Sequence, residues 1–255
     1  MATSVKQSPP TAAIYLYGVT AKLATGRALT VLSILGVDGK AKVEPMECAS
    51  LVCWISHVSR KEFADNLARN MENLDWLSEA GVRHQRAVSA IAEVTDILPA
   101  RFGTVFLNVS SLEDDMRKRK SLLEADLRKI HSCDEWGVKV FSVEPKTQTP
   151  TKKPKTGREY LKIKAALVRR PADGVASEEL ESFLATLRKI SADVTEGGRI
   201  SGGRRGLQWQ SSLLVNRSNR KRLEAALKKY SNRWADSGII ECTGPWPPYS
   251  FVSRQ

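Results

Sequence analysis

Cys48, Cys53 and His57 lie in one short stretch, and two thiols beside an imidazole are a donor set that could hold a transition metal. Their spacing matches no zinc pattern, and Cys53 falls on the apolar side of an expected strand, so the thiols read as small core residues. His84 and His131 have no carboxylate or cysteine close by in sequence, and each reads as a core or surface histidine instead of a general base. Gly198 to Gly203 mimics the spacing of a phosphate-binding loop. Arg204 and Arg205 follow it, where that chemistry requires a Lys and then a Ser or Thr to reach phosphate and Mg²⁺. Glu178 and Glu179 adjoin at a helix start, where they face the helix dipole and not each other. No nucleophile turn of the G-x-S-x-G kind and no dinucleotide-binding glycine turn occurs. No catalytic, cofactor-binding or metal-ligating residue is assigned, and no enzyme is expected.

The elements that would position such groups follow from periodicity. Ile14 to Val19 is a β-branched and aromatic run that ends at glycine, and it reads as a strand, as does Leu29 to Leu35. Ala49 to Val58 carries apolar residues at both parities, the pattern of a strand covered on both faces. Ser59 and Glu62 have capping-box spacing, opening a long helical stretch with Phe63, Leu67, Met71, Leu74, Leu77, His84, Val88 and Ile91 on its stripe and a break near Gly81. Ser110 and Glu113 repeat the capping signature before a stripe of Leu112, Met116, Leu123, Leu127 and Ile130. Trp136 to Val143 alternates as a strand. The Pro-, Thr- and Lys-rich stretch that follows reads as an exposed loop. Tyr160 to Arg170 alternates like a strand yet has a composition that suits a helix, which is the reading adopted. Leu180 to Ile190 and Leu223 to Trp234 are helical, and Leu207 to Val215 and Ile239 to Cys242 are strands, with one more strand near Ala192 to Thr195.

That order predicts an α+β protein of two domains. A polar leader over 1–12 precedes an N-terminal mixed α+β domain over 13–133. A ferredoxin-like domain over 134–255 follows, with exposed loops near 145–157 and 197–206. Charge agrees with the division. The chain's 255 residues carry net +12, but residues 1–144 hold 18 basic and 18 acidic side chains and residues 145–255 hold 22 and 10. With 42% hydrophobic residues the chain can bury a core without disulfides, and four scattered cysteines suit a reducing compartment. No run is long enough for a membrane span and no apolar signal core opens the chain, so a soluble intracellular protein is expected. The basic half raises one alternative, a ferredoxin-like nucleic-acid-binding module using the glycine- and arginine-rich loop and Arg220 to Arg222. Neither strand Trp136 to Val143 nor Leu207 to Val215 carries the aromatic pattern of an RNA-recognition sheet, and no nucleic acid is expected.

Three strings carry more information than the periodicity. Leu98-Pro-Ala-Arg-Phe-Gly-Thr-Val-Phe106, Glu135-Trp-Gly-Val-Lys-Val140 and Thr243-Gly-Pro-Trp-Pro-Pro-Tyr-Ser-Phe-Val252 resemble hallmark segments of the gas vesicle synthesis proteins of the GvpF/GvpL family. Tyr15-Leu-Tyr-Gly-Val19 and the stretch from Trp76 to His84 are similar to that family's opening strand and long helix. The resemblance runs from about Ile14 to Val252. Departures are Ala100 after the proline, Gln85 after His84, and the stretch Thr147 to Lys155. The second departure argues against giving His84 a role.

The resemblance implies two α+β domains, the second a modified ferredoxin-like fold, and no catalysis or cofactor. It implies a minor structural component or assembly factor of the gas vesicle, the gas-filled shell that gives buoyancy, located with that organelle in the cytoplasm. Its partners would be the major shell protein and other gas vesicle assembly proteins. Trp246, Tyr249 and Phe251 are the candidate partner-binding aromatics, although docking back on its own domain as a structural clasp is the favoured reading of this segment. Arg204 and Arg205 are candidates for steering an acidic partner. Arg101, Phe102, Gly103 and Trp136 form the candidate structural motif, with Phe102 filling core and Gly103 allowing a turn.

Overall fold

The computed structural model describes residues 11–22, 34–143, 174–196 and 205–253. Its contacts divide the chain into two compact units. One comprises Met1–Asp134 together with Trp246–Gln255, and the other Glu135–Pro245.

The first unit is built on an antiparallel sheet in which β3 (Leu51–Ser59) and β1 (Ala12–Ala21) are the inner strands, flanked by β2 (Glu44–Cys48) and β4 (Ile97–Pro99) in the order β2-β3-β1-β4. A two-residue strand, β5 (Val105–Phe106), shares the outer edge of β1 with β4: β4 pairs with Gly18 to Thr20 and β5 with Ile14 and Tyr15. Every residue of β1 from Ala13 to Thr20 is buried. A strand covered on both faces must be apolar at both parities, and helices supply the cover. After the short α1 (Leu67–Met71), α2 (Leu74–Val94) sets Ala80, Ala87, Val88 and Ile91 against Tyr15, Tyr17, Val52 and Trp54, and α3 (Val109–Ile130) packs on β1, β2, β4 and β5. The β1–β3 register shifts between Leu16 and Gly18. At Gly18 a Cβ would stand 2.6 Å from both the Ile97 side chain and the Leu98 carbonyl, so glycine lets β4 approach β1 closely.

The second unit follows the element order β6 (Cys133–Ser142), α4 (Ser177–Ile190), β7 (Asp193–Glu196), β8 (Leu207–Asn216), α5 (Arg220–Arg233) and β9 (Gly238–Trp246). Its sheet order, β7-β8-β6-β9, places the first strand between the third and the last, the ferredoxin-like arrangement. The core joins Trp136, Val138 and Val140 of β6 to Phe183 and Leu187 of α4 and to Leu223, Tyr230 and Trp234 around α5. Glu179 does more than face a helix dipole: its carboxylate accepts from Trp234 Nε1 at 2.9 Å and pairs with Arg233 at 2.6 Å.

Local signals and outcome differ at several points. The helix expected to break at Gly81 runs unbroken from Leu74 to Val94. A Cβ at Gly81 would meet nothing within 4 Å, and a mid-helix glycine costs only about 1 kcal/mol. The break lies instead at Asn73, whose side chain accepts from the Asp75 and Trp76 amides. Ser59 remains in β3, where its hydroxyl accepts from the Glu62 amide at 3.4 Å as the box requires, but the Glu62 carboxylate accepts from Trp76 Nε1 at 3.0 Å instead of closing the box. The box before α3 is Asn108 with Ser111, because Asn108 leaves the preceding strand in the extended conformation an N-cap needs. β2, β4 and β5 were not legible in the sequence. Residues 246–255, expected in the second domain, belong with the first unit. The expected leader except Thr11 and Ala12, the latter already in β1, both exposed loops except Arg205 and Gly206, Leu29 to Thr30 with the three residues after it, and the Tyr160 to Arg170 helix lie outside the described residues.

Adding a methyl at Gly18 forces β4 away from β1. Gly18→Ala is therefore expected to cost about 1–3 kcal/mol, measured as a lower denaturant midpoint with unchanged slope.

Candidate functional site

Of the strings singled out in the sequence, those that carry Tyr15, His84, Phe102 and Tyr249 converge on one buried imidazole. Asn73 starts α2 so that His84 falls on the helix's core stripe, where it is 4% exposed and faces β1. Tyr15 and Tyr17, two apart on that strand, point the same way. The His84 ring stacks on Tyr17 at 5.8 Å and 23°, and meets Tyr15 and Phe102 edge-on at 5.7 Å. Phe102 arrives on the turn between β4 and β5. Thr104 N–H donates to the Arg101 carbonyl across that turn, and Gly103 takes φ +83°, a left-handed conformation that glycine adopts without cost.

Hydrogen bonds through this cluster form a single directed chain. The Gly103 amide donates to the Tyr15 hydroxyl at 3.0 Å, which lies 3.0 Å from His84 Nδ1. His84 Nε2 lies 3.3 Å from the Tyr249 hydroxyl, which donates to Gln85 Oε1 at 3.3 Å. With the Tyr15 proton on Nδ1 and the Tyr249 proton on Gln85, a neutral imidazole carrying its hydrogen on Nε2 is compatible with these contacts, and the Ala100 backbone is a further hydrogen-bond partner of the ring. Burial, opposed in part by the Ala100 backbone, lowers His84 from 6.5 to about 4, and burial likewise pushes the Tyr15 and Tyr249 phenols up.

Tyr249 belongs to the C-terminal string, which closes over the first unit. Tyr249 to Phe251 form a single 3₁₀ turn. Phe251 is buried beneath Lys129, whose ammonium lies 5.6 Å from the ring centre. Beyond it, the Ser253 amide and hydroxyl donate to the buried carboxylate of Asp126 on α3 at 2.9 and 3.0 Å. Tyr249 therefore ties the string to α2, and Phe251 and Ser253 tie it to α3. The clasp forms on the first unit, not on the domain that precedes it in sequence.

The remaining candidates are scattered. Trp246 is 47% exposed and Arg101 is exposed. Trp136 is buried in the second unit, its ring against Gly244, where a Cβ would come within 3.1 Å, and beneath Arg220 at 5.6 Å. Arg205 is exposed and Arg204 lies outside the described residues. Cys48 and Cys53 are buried, and their mutual hydrogen bond, with burial, pushes the Cys53 thiol up. His57 is instead exposed beside Glu44 at 3.4 Å. Among the described residues, no group of three or more His, Cys, Asp or Glu could hold a metal ion. Reading residue by residue missed His84, Tyr15, Tyr17 and Gln85. The available signal was a histidine on a core stripe, in a chain whose opening strand carries two same-face tyrosines.

Between pH 6.5 and about 4 an unfolded chain protonates His84 while the folded chain does not. Its contribution is complete above pH 6.5 and is lost as pH falls toward 4, about 3 kcal/mol in all. His84→Asn is expected to flatten this part of the stability–pH profile, measured by denaturant titration across that range.

Comparison with known proteins agrees over nearly the whole chain. The family model described as gas vesicle synthesis protein GvpL/GvpF matches residues 13–253. Gas vesicle protein L of Streptomyces sp. (strain CB03234) is 27% identical over 204 residues, covering 73% of each chain. Gas vesicle protein F2 of Halobacterium salinarum is 25% identical over 242 residues, covering 94% of this chain and 91% of its own. The crystal structures of GvpF from Anabaena sp. PCC7120 and Microcystis aeruginosa, each 16% identical, superpose with TM-scores of 0.68 and 0.66. They cover 96% and 95% of this chain and 97% and 99% of their own, and so share its fold. With a match that takes in the opening strand, the turn of Phe102 and Gly103, the second unit and the C-terminal clasp, the chain belongs to the GvpL/GvpF family of gas vesicle synthesis proteins.

Proposed function

We propose that this protein acts without catalysis in gas vesicle assembly and binds the major shell protein during shell nucleation or growth. A wall that excludes water is made of very apolar subunits, which aggregate unless a soluble partner covers them as they add. The observation that carries the reading is the solvent face of α2. Leu74 is 77% and Val82 56% exposed, with Ser78 and Gly81 between them at helical spacing. These residues form an uncharged row that carries two large apolar side chains, bordered by the exposed Asp75, Glu79 and Arg86. Trp246 offers a further accessible aromatic, whereas Tyr249 and Phe251 act through the clasp that holds α2 and α3. Arg204 and Arg205 would steer an acidic partner surface, chiefly through association rate. The protein would sit with the gas vesicle.

Leu74→Asp with Val82→Asp leaves the core untouched, so stability should change by less than about 0.5 kcal/mol per site. Co-purification of the major shell protein should nonetheless fall at least about tenfold, a loss of about 1.4 kcal/mol; unchanged recovery rejects this face, and Trp246→Ala measured alongside reports whether the indole contributes. Charge reversal at Arg204 and Arg205 should slow association at low salt and have little effect above about 0.5 M, where charges are screened within a few ångströms. Indifference to both the mutation and salt rejects steering.

A further inference from the structure

In the second unit, α4 and α5 leave an open groove on their shared seam, a cavity of about 400 Å³. Its floor is Ile190, Ala225 and Ala226 and its rim is Lys189, Arg222 and Lys229. Arg222, Ala225, Ala226 and Lys229 fall at i, i+3, i+4 and i+7, one face of α5, and the two alanines are too small to fill the space between the helices. Among the described residues none of the three rim cations is in an ion pair. Arg222 donates only to the Asn219 side-chain oxygen at 3.2 Å, and Lys229 lies 5.6 Å from the Tyr230 ring centre. The nearby carboxylates are engaged elsewhere, Glu224 with Arg220 at 2.9 Å and Glu179 with Arg233.

The charge here also runs against local helix preference. α5 carries six basic residues and one acidic residue. Arg220, Lys221 and Arg222 occupy its first turn with no acidic residue among them, at the end where the helix dipole disfavours cations. The Asn219 side-chain amide donates to the Ile190 carbonyl at 3.1 Å, so Arg188 and Lys189 in the last turn of α4, which that helix's own dipole favours, are drawn to the same end. Of these cations the described residues ion-pair only Arg220, with Glu224; carboxylates of a bound segment would meet the others together with the α5 dipole.

We infer that this groove is a docking site for an acidic amphipathic segment of a partner protein, its apolar side chains on Ile190, Ala225 and Ala226 and its carboxylates on Lys189, Arg222 and Lys229. An aliphatic floor between cationic rims suits alternating leucine-like and glutamate-like side chains. It suits nucleic acid poorly, because strand binding needs open aromatic faces. The one aromatic ring at the groove, Tyr230, is instead packed between Phe183 and Trp234 at 4.8 and 5.3 Å, with its hydroxyl against Ser182 and Thr186. The site is distinct from the α2 face and stands or falls without it.

The test titrates the full chain into a fluorescein-labelled peptide of leucine and glutamate in helical spacing, followed by anisotropy. Wild type should bind, and Lys189→Glu with Arg222→Glu should weaken binding at least about tenfold. Ala225→Trp, which fills the floor and leaves the charge unchanged, should weaken it too, while Lys118→Glu, an exposed charge reversal on α3 in the first unit, should not. If the double variant melts below wild type, Lys229→Glu carries the charge test alone. The proposal is overturned if the peptide does not bind, if Lys118→Glu weakens it as much as the rim variants, or if Ala225→Trp has no effect. Equal binding of polyglutamate, or tighter binding of a DNA duplex that the same rim variants abolish, also overturns it.

Discussion

Two phenols and an imidazole packed into the core of the first unit must satisfy one another, because each unpaired polar atom there costs more than a made hydrogen bond returns. Their solution is a chain in which every donor has one acceptor, running from the Gly103 amide through Tyr15, His84 and Tyr249 to Gln85. The chain closes only if β1, the β4–β5 turn, α2 and the C-terminal string are all in place. One network therefore couples segments as far apart in sequence as Tyr15 and Tyr249. Tyr17 makes a smaller version of the same arrangement: its hydroxyl takes the Val37 amide and lies 2.8 Å from the Ser56 hydroxyl, fixing the segment before β2 against β3.

This network assigns the C-terminal string a structural role before any binding role. β9 leads through Trp246 into a segment whose Tyr249 hydroxyl, Phe251 ring and Ser253 amide are all consumed by the first unit. Two of the three aromatics that look most like partner anchors in sequence, Tyr249 and Phe251, are thus spent on tying the string to α2 and α3, while Trp246 stays exposed. Outside the network lie an apolar row on α2 in the first unit and a cation-rimmed apolar groove on the helical layer of the second, two surfaces that differ in chemistry.

The fold class was legible because it rests on short-range pattern. The two-parity burial of Leu51 to Ser56, the core stripes of α3 to α5 and of α2 from His84 onward, and the strand-helix-strand order after Trp136 can each be read within a few tens of residues, whereas Ala49 and Ser50, expected in the same strand, turn between β2 and β3 with φ +50° and +71°. The resemblance carried by the Phe102, Trp136 and Tyr249 strings gave the family. Short edge strands were not legible, since three residues of β4 and two of β5 have no periodicity and exist only because β1 offers them an edge. The Gly81 break failed for the opposite reason: a helix-weakening residue costs little on the solvent side, and a good cap at Asn73 outweighs it.

By itself the sequence determined most of the long helices and strands among the described residues, where the net charge of +12 resides and, through three unusual strings, the family. Only the tertiary structure decided what those strings do. A histidine with no polar partner near it in sequence becomes the centre of a network when β1 and α2 pack face to face. A proline-rich tail becomes a clasp on the unit at the other end of the chain. A run of lysines and arginines that would otherwise be a solvated face becomes the rim of a groove. In each case the property belongs to distance in space between residues far apart in the chain, which local periodicity does not encode.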